Sequence, residues 1–280
     1  MEPVSRHKDE FSVDALVDKE NLRIWIQDYR VKDPLLFSQY LTRWAKEESL
    51  EKIILPAREE DLKSFQENGF VLEGVIEAYY PDSKGYFLSA YPCIRRGKSL
   101  FLQEEQAMLK KILSQPRLTK GCLPEEFLLR RATKQDINRM ADLFRQVFAT
   151  YPTPIYTPRY LNCAMEKGDL YMVVYHGQQL VGAAAAEIDR DYGRTELTNC
   201  ATHPDYRGLG LNTLLLKELE QCCLNRHPRC LYSLARSSSY GMNLILHRLG
   251  YRFQGTLINN CHIAGRFENM NLWVKPGLRI

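Results

Sequence analysis

From Arg207 to Asn212 the chain reads Arg-Gly-Leu-Gly-Leu-Asn, two glycines one residue apart behind an arginine and ahead of an apolar run. Glycine lets backbone N–H groups close around an anion, and a helix N-terminus adds a favourable field, so the chemistry of this stretch is phosphate binding. Spacing narrows the kind of phosphate. A P-loop needs Gly-x-x-x-x-Gly-Lys-Ser/Thr, and no lysine follows Gly210 at that distance. A dinucleotide fingerprint needs a third glycine where Thr213 stands, and no βαβ unit with an acidic ribose partner is evident. Arg-x-x-Gly-x-Asn remains, and a plain strand-turn-helix joint is its reading without function.

The elements that must position this loop are legible around it. Glu196 to Thr202 alternates and is rich in β-branched residues, and Pro204 ends any ladder. From Leu211, the positions Leu214, Leu215, Leu219, Cys222 and Cys223 recur at helical spacing. Upstream, Phe127–Arg131 reads as a strand, Thr133 opens a helix carrying Ile137 to Phe148, and Arg159–Glu166 reads as a second helix after Pro158. A hairpin spans Leu170–Tyr175 and Leu180–Ile188. Downstream come a strand at Cys230–Ala235, a helix at Ser239–Leu249, and closing strands at Tyr251–Ile258 and Phe267–Val274.

Ahead of Phe127, a polar lead is followed by a strand at Asn21–Arg30 and a helix opened by Asp33-Pro34 as N-cap and first-turn proline. A strand at Glu51–Leu55, a helix at Arg58–Asn68 ended by Gly69, strands at Phe70–Tyr79 and Tyr86–Tyr91, and a helix at Leu100–Leu113 complete this part, giving β-α-β-α-β-β-α. The punctuation of Ser114–Pro124 sets a boundary there, dividing the chain into 1–120 and 121–280. Ser64–Ile76 (SFQENGFVLEGVI) and Ile245–Leu257 (ILHRLGYRFQGTL) share a frame of helix end, Gly-aromatic, three residues and Gly. The first domain therefore reads as a partial, degenerate copy of the second half of the other, with no glycine loop and no cofactor of its own. Chance likeness of two helix-Gly-strand joints is the alternative.

Composition sets the outer limits. The chain has 280 residues, a net charge of +4 and an ordinary soluble balance, without the basic blocks of a nucleic-acid binder. No apolar run approaches a membrane span and Met1–Glu10 is charged, so the protein reads as cytoplasmic. Eight cysteines then count as small core residues rather than disulfides, and the spacing of Cys222, Cys223, His227 and Cys230 matches no common zinc pattern, so no metal is expected.

Arg207 to Asn212 resembles the pyrophosphate-binding Arg/Gln-x-x-Gly-x-Gly/Ala motif of the GCN5-related N-acetyltransferases, which bind acetyl coenzyme A, and the element order from Phe127 is the order of that fold. The resemblance implies an α/β (α+β) acetyltransferase domain behind a smaller mixed one. It implies that Arg207, Gly208, Leu209, Gly210, Leu211, Asn212 and Thr213 hold the pyrophosphate, and that N–H groups at Cys200, Ala201 and Thr202 polarise the thioester carbonyl. An alkyl ammonium must lose a proton before it attacks, and Glu196 stands where the fold commonly places the carboxylate that takes it. The family's usual leaving-group tyrosine is replaced by Leu246, which leaves Tyr240 as the substitute, with His247 adjacent. A solvated strand glutamate and a structural tyrosine are the alternatives.

The whole chain resembles the β-lysine N6-acetyltransferases of methanogens and bacteria. The matching residues are Asp28-Tyr29-Arg30, Gly69-Phe70, Tyr151 to Ile155, Ala201 to Asn212, Tyr240-Gly241-Met242-Asn243, and a tail of Asn259-Asn260, Gly265 and Glu268 to Asn271. The resemblance implies acetyl transfer to the N6 amine of β-lysine, giving a compatible solute. Glu268, Asn260 and Asn269 would bind the unreactive ammonium, and Arg30 or Arg236 the carboxylate. Another small amine, an amino acid or a protein amine stays open as acceptor, as does a non-catalytic acyl-CoA sensor.

Overall fold

The computed structural model describes residues 1–81, 83–117, 123–263 and 265–275. The boundary expected between residues 120 and 121 lies outside the described residues. The backbone forms one continuous sheet of thirteen described strands in the order β1-β2-β3-β4-β6-β5-β12-β13-β11-β10-β9-β8-β7. Its first part comprises β1 (Glu2–His7), β2 (Phe11–Asp18), β3 (Arg23–Val31), α1 (Pro34–Glu47), β4 (Lys52–Ala57), α2 (Leu62–Glu67), β5 (Val71–Ile76), β6 (Gly85–Ala90) and α3 (Leu102–Leu113). Its second comprises β7 (Phe127–Arg131), α4 (Ile137–Val147), α5 (Pro158–Lys167), β8 (Leu170–His176), β9 (Gln179–Asp189), β10 (Arg194–Thr202), α6 (Leu211–Leu224), β11 (Cys230–Arg236), α7 (Tyr240–Arg248), β12 (Arg252–Ile263) and β13 (Arg266–Val274).

The polar lead expected before Asn21 is instead a pair of strands. Phe11, Val13, Ala15 and Val17 alternate inward along β2, while β1 is an edge strand with mostly exposed side chains, so its hydrophobic signal is faint. Asp33 caps α1 as its type predicts, accepting from the N–H groups of Leu35 and Leu36 at 2.9 and 3.1 Å.

The connections repeat. β3 runs parallel to β4 through α1, β4 pairs antiparallel with β6, and β6 with β5. β10 runs parallel to β11 through α6, β11 pairs antiparallel with β13, and β13 with β12. The likeness of Ser64–Ile76 to Ile245–Leu257 thus sits on equivalent elements, α2-β5 and α7-β12. Counterparts of β7, α4 and α5 do not occur among the described residues of the first half.

Each half has its own apolar core, around Phe37, Trp44 and Phe65 under α1 and α2, and around Leu215, Leu246 and Trp273 under α6 and α7. A further cluster spans the seam: Ile54, Tyr79 and Phe87 pack with Leu257, Met270 and Leu272. Buried cations reinforce it. Lys52, Arg96 and Arg23 donate to three successive carbonyls of β12, those of Ile258, Asn259 and Asn260, at 2.7, 2.7 and 3.0 Å. This fixes the irregular stretch of β12 between Leu257 and Cys261, where Asn259 has φ +43°.

Candidate active site

β10 and β11 pair only over Arg194–Glu196 and Cys230–Tyr232, and Ser233 Oγ donates to Leu197 O at 2.7 Å just beyond. Past that link the parallel strands part, leaving the β10 backbone edge without a ladder partner on the β11 side. Two β10 residues, Asn199 and Cys200, oppose a single β9 position, a bulge that Asn199 accommodates at φ +54°. Asparagine tolerates that left-handed conformation better than most side chains. The V-shaped opening becomes a cavity of about 580 Å³ between α6 and α7.

The glycine loop lies at the mouth of this cleft. Gly208 and Gly210 have φ +85° and +76°, and no atom lies within 4 Å of where a Cβ would stand, so the backbone can meet a ligand there. Gly210 is the N-cap of the fourteen-residue α6, whose first N–H groups and dipole face the cleft. Arg207, Gly208, Gly210, Leu211, Asn212, Thr213, Cys200 and Thr202 line it. These residues fit a pyrophosphate on the loop and an acyl thioester along β10, which supplies the reactive acetyl carbon when acetyl-CoA is bound. Asn212 accepts from Thr202 Oγ1 at 3.0 Å, tying the end of β10 to the first turn of α6. The side chains of Ala201 and Leu209 do not line the cleft, Ala201 lying in the core under α4 and α5 and Leu209 being half exposed, which leaves their backbone N–H groups as what they could offer.

A second cavity of about 530 Å³ adjoins the first, and Tyr151, Thr198, Asn199, Leu234, Ile263 and Met270 line both. Glu196 lines the second cavity with Glu187, Asp169 and Tyr232, and the first half closes it with Arg23, Trp25 and Gln27 of β3. Burial, with the opposed Glu187 adding to it, pushes Glu196 up to about 8, and burial pushes Glu187 up to about 7. A carboxylate so poised is a competent proton acceptor near neutrality. Burial also pushes the Cys200 thiol up to about 12, so it stays protonated and is no nucleophile.

Several expected ligands are occupied elsewhere. Tyr240, the first residue of α7, is 45% exposed and outside the lining of the cleft, whereas its neighbours Ser239 and Gly241 line it. His247 is buried, with Nε2 2.9 Å from the carbonyl of Gln115. Glu268 is buried against Ser238 Oγ and Arg266 Nε, each at 2.8 Å. Asn269 donates to Ser99 Oγ and Glu105 Oε2 at 2.6 Å and accepts from the Asn259 N–H. Both are structural ties: Glu268 joins the turn before α7 to Arg266 of its own strand, and Asn269 joins the start of α3 to β12. Asn271 is a third such tie, accepting from Ser237 and Thr256 and donating to Asn243 Oδ1, itself bonded to Trp273 Nε1. The Tyr240–Asn243 and Asn269–Asn271 motifs thus meet as one hydrogen-bonded unit that sets the start of α7. Asn260 lines the second cavity.

Of the two arginines expected to bind an acceptor carboxylate, Arg30 is exposed and Arg236 lines the first cavity, and neither lines the second. Arg23 and Arg194 do line it: Arg23 is held by Asp18 at 3.0 Å, and Arg194 stacks 4.1 and 4.2 Å from the rings of Tyr79 and Tyr192. Sequence reading missed them, together with Glu187, because their strands are far apart in the chain and only the closed sheet brings them together. The one available signal was a lone charge within each strand pattern.

A model of the acetyltransferase (GNAT) family matches residues 137–251. The chain is 37% identical over 232 residues to N-acetyltransferase YodP of Bacillus subtilis, covering 82% of this chain and 84% of that one. It is 32% identical over 229 residues to the β-lysine N(6)-acetyltransferase of Methanococcus maripaludis, covering 82% and 84%. It is also 32% identical over 249 residues to that of Methanosarcina mazei, covering 81% and 92%.

Proposed function

Because the chain belongs to the GNAT acetyltransferase family and is an acetyl-CoA-dependent N-acetyltransferase, we propose that its acceptor is a small amino acid bearing a distal amine, and specifically the N6 amine of β-lysine. One observation carries the acceptor class: the cavity beside the cofactor cleft holds the carboxylates of Glu187 and Glu196 and the guanidinium groups of Arg23 and Arg194 within about 530 Å³. Carboxylates suit ammonium groups and guanidinium suits a carboxylate, which is the charge set of a diamino acid. Two relatives named β-lysine N(6)-acetyltransferases support the specific acceptor. The product would be N6-acetyl-β-lysine, a compatible solute made in the cytoplasm.

In this reading Glu196 accepts the proton of the attacking ammonium, the β10 edge and the α6 loop orient the thioester, and Asn260 contacts the acceptor. The leaving thiol has a pKa near ~8.5 and departs without an acid. Residues 1–120 form the half that encloses the acceptor, and residues 121–280 the half that binds acetyl-CoA. The loop end that is open in α6 is closed in α1 by the Asp33 carboxylate, which supports a single cofactor site.

Thiol release from acetyl-CoA across β-lysine, lysine, simple diamines and peptides tests the proposal. Preference for β-lysine is expected. Preference for peptides would sink the small-acceptor reading, and the absence of release with any amine would favour an acyl-CoA sensor.

A further inference from the structure

Glu187 of β9 and Glu196 of β10 are direct partners in the antiparallel ladder, so their side chains leave the same face of the sheet, and both line the acceptor cavity. Like charges so opposed on a half-buried face are unfavourable unless a proton or a cation lies between them. Each guanidinium of the cavity already neutralises a carboxylate outside the pair, Arg23 that of Asp18 and Arg194 that of Asp189, while Arg194 Nη1 has no hydrogen-bond partner and stays open to an acceptor carboxylate. Glu187 does accept from Asn199 Nδ2 at 3.3 Å. Asn199 is 2% exposed, lines both cavities, and its Oδ1 has no partner.

We infer that Glu187 and Glu196 act as one unit holding a single proton between them, which docks the acceptor ammonium and takes the proton it loses, with Asn199 Oδ1 accepting an N–H of the amine. The inference rests on the acetyltransferase reading above and assigns Glu187 and Asn199 to it. One N–H proton passes from R–NH3+ to a carboxylate oxygen of the pair, freeing the nitrogen lone pair. The N–C bond forms to the acetyl carbon, the C–S bond breaks with its electrons going to sulfur, and the second nitrogen proton ends on that sulfur. The sum is amide, free thiol and one proton: the shared proton leaves to water when the ammonium docks, and the proton taken from the amine restores the pair. Holding two N–H bonds, one on the carboxylate and one on Asn199, leaves the lone pair a single direction.

The groups facing the pair come from six elements: Asp169 and Tyr171 at β8, Tyr160 of α5, Tyr151 of the loop before it, Tyr232 of β11, Tyr79 after β5 and Arg23 of β3. The tyrosines stay neutral because burial raises them. Asp169 raises Glu187 and Arg23 lowers Glu196, so charges outside the pair bring the two carboxyls closer together in proton affinity.

The test is the pH profile of kcat/KM for the amine in Glu187→Gln. Without the opposed charge the base ionises more readily, and the acid limb moves down by about one pH unit. KM for the amine rises ~10-fold as an ionic hydrogen bond is lost, while KM for acetyl-CoA changes by less than about twofold. An acid limb left in place overturns the inference. If Glu187→Gln does not fold, calorimetry of 1,5-diaminopentane binding to the wild-type protein in two buffers of different ionisation enthalpy reads the same device. The ammonium displaces the shared proton, so release is expected, and no release overturns the inference. Loss of all thiol release by the wild-type protein with every amine would instead remove the function itself.

Discussion

Gly74 and Gly255 are ladder partners where β5 meets β12, and they occupy the same position of a repeated motif. Each follows a register shift in its own hairpin, between Leu72 and Gly74 in one and between Phe253 and Gly255 in the other. The approach permits no side chain: a Cβ on Gly255 would lie 2.0 Å from the Glu73 carbonyl and 2.5 Å from Gly74 Cα. The two copies of the motif therefore meet at the seam itself. Across it, Arg23, Trp25 and Gln27 of β3 line the second cavity.

Gly255→Ala is expected to destabilise the protein by more than about 3 kcal/mol, because the obstructing atoms are backbone and φ is +150°. Gly69→Ala, at φ +89° in open space, costs about 1 kcal/mol. Urea midpoints of the two variants measure the difference, and equal losses would refute the close approach.

Lys52 is fully buried against Glu73 at 2.8 Å, and burial lowers its pKa to about 8. Lys52→Met leaves the Glu73 carboxylate buried without its cation and is expected to cost about 3–5 kcal/mol. Adding Glu73→Gln removes the stranded charge and recovers much of the loss. Thermal unfolding of the single and double variants checks this, and a double variant no better than Lys52→Met alone would contradict it.

Glu196→Gln is expected to lower kcat by ~10²–10⁴-fold with little change in KM for acetyl-CoA. In the wild-type protein, kcat/KM rises with pH up to about 8, where Glu196 becomes ionised. A wild-type profile flat between pH 6 and 9 (roughly the range that brackets such a base) would exclude Glu196 as the proton acceptor.

The same substitution is expected to stabilise the fold at alkaline pH. A carboxyl whose pKa is raised in the folded state binds its proton more tightly folded than unfolded. Folding stability therefore falls as pH rises from the ordinary glutamate range to about 8. Glu196→Gln removes that loss, so its Tm exceeds the wild-type value by about 2–4 °C near pH 8 and matches it near pH 5 (rough values). A gain of equal size at both pH values would mean that the substitution acts through packing instead.

Arg207→Ala is expected to raise KM for acetyl-CoA about tenfold by removing a charge from the mouth of the glycine loop, with KM for the amine unchanged. Initial rates with each substrate varied in turn separate the two effects, and a matched rise in both would place Arg207 outside the phosphate site.

What the sequence determined by itself is local in origin. Gly208 and Gly210 before a helix, the alternation of β10 and the element order from Phe127 are set by backbone freedom and hydrophobic period, and these led to the fold and the cofactor loop. The repeat from Ser64 and from Ile245 was also legible, because helix end, Gly-aromatic and glycine bulge lie within thirteen residues. Tertiary structure alone decided the acceptor side. Glu187 faces Glu196 only because β9 folds back on β10, and Arg23 joins them only because two halves meet at Gly74 and Gly255. It also moved Glu268 and Asn269 from ligand to scaffold, since an amide or carboxylate in a closing strand looks the same in sequence whether it faces a cavity or bonds a neighbouring turn. Strand pairing, which joins residues distant in the chain, makes that choice.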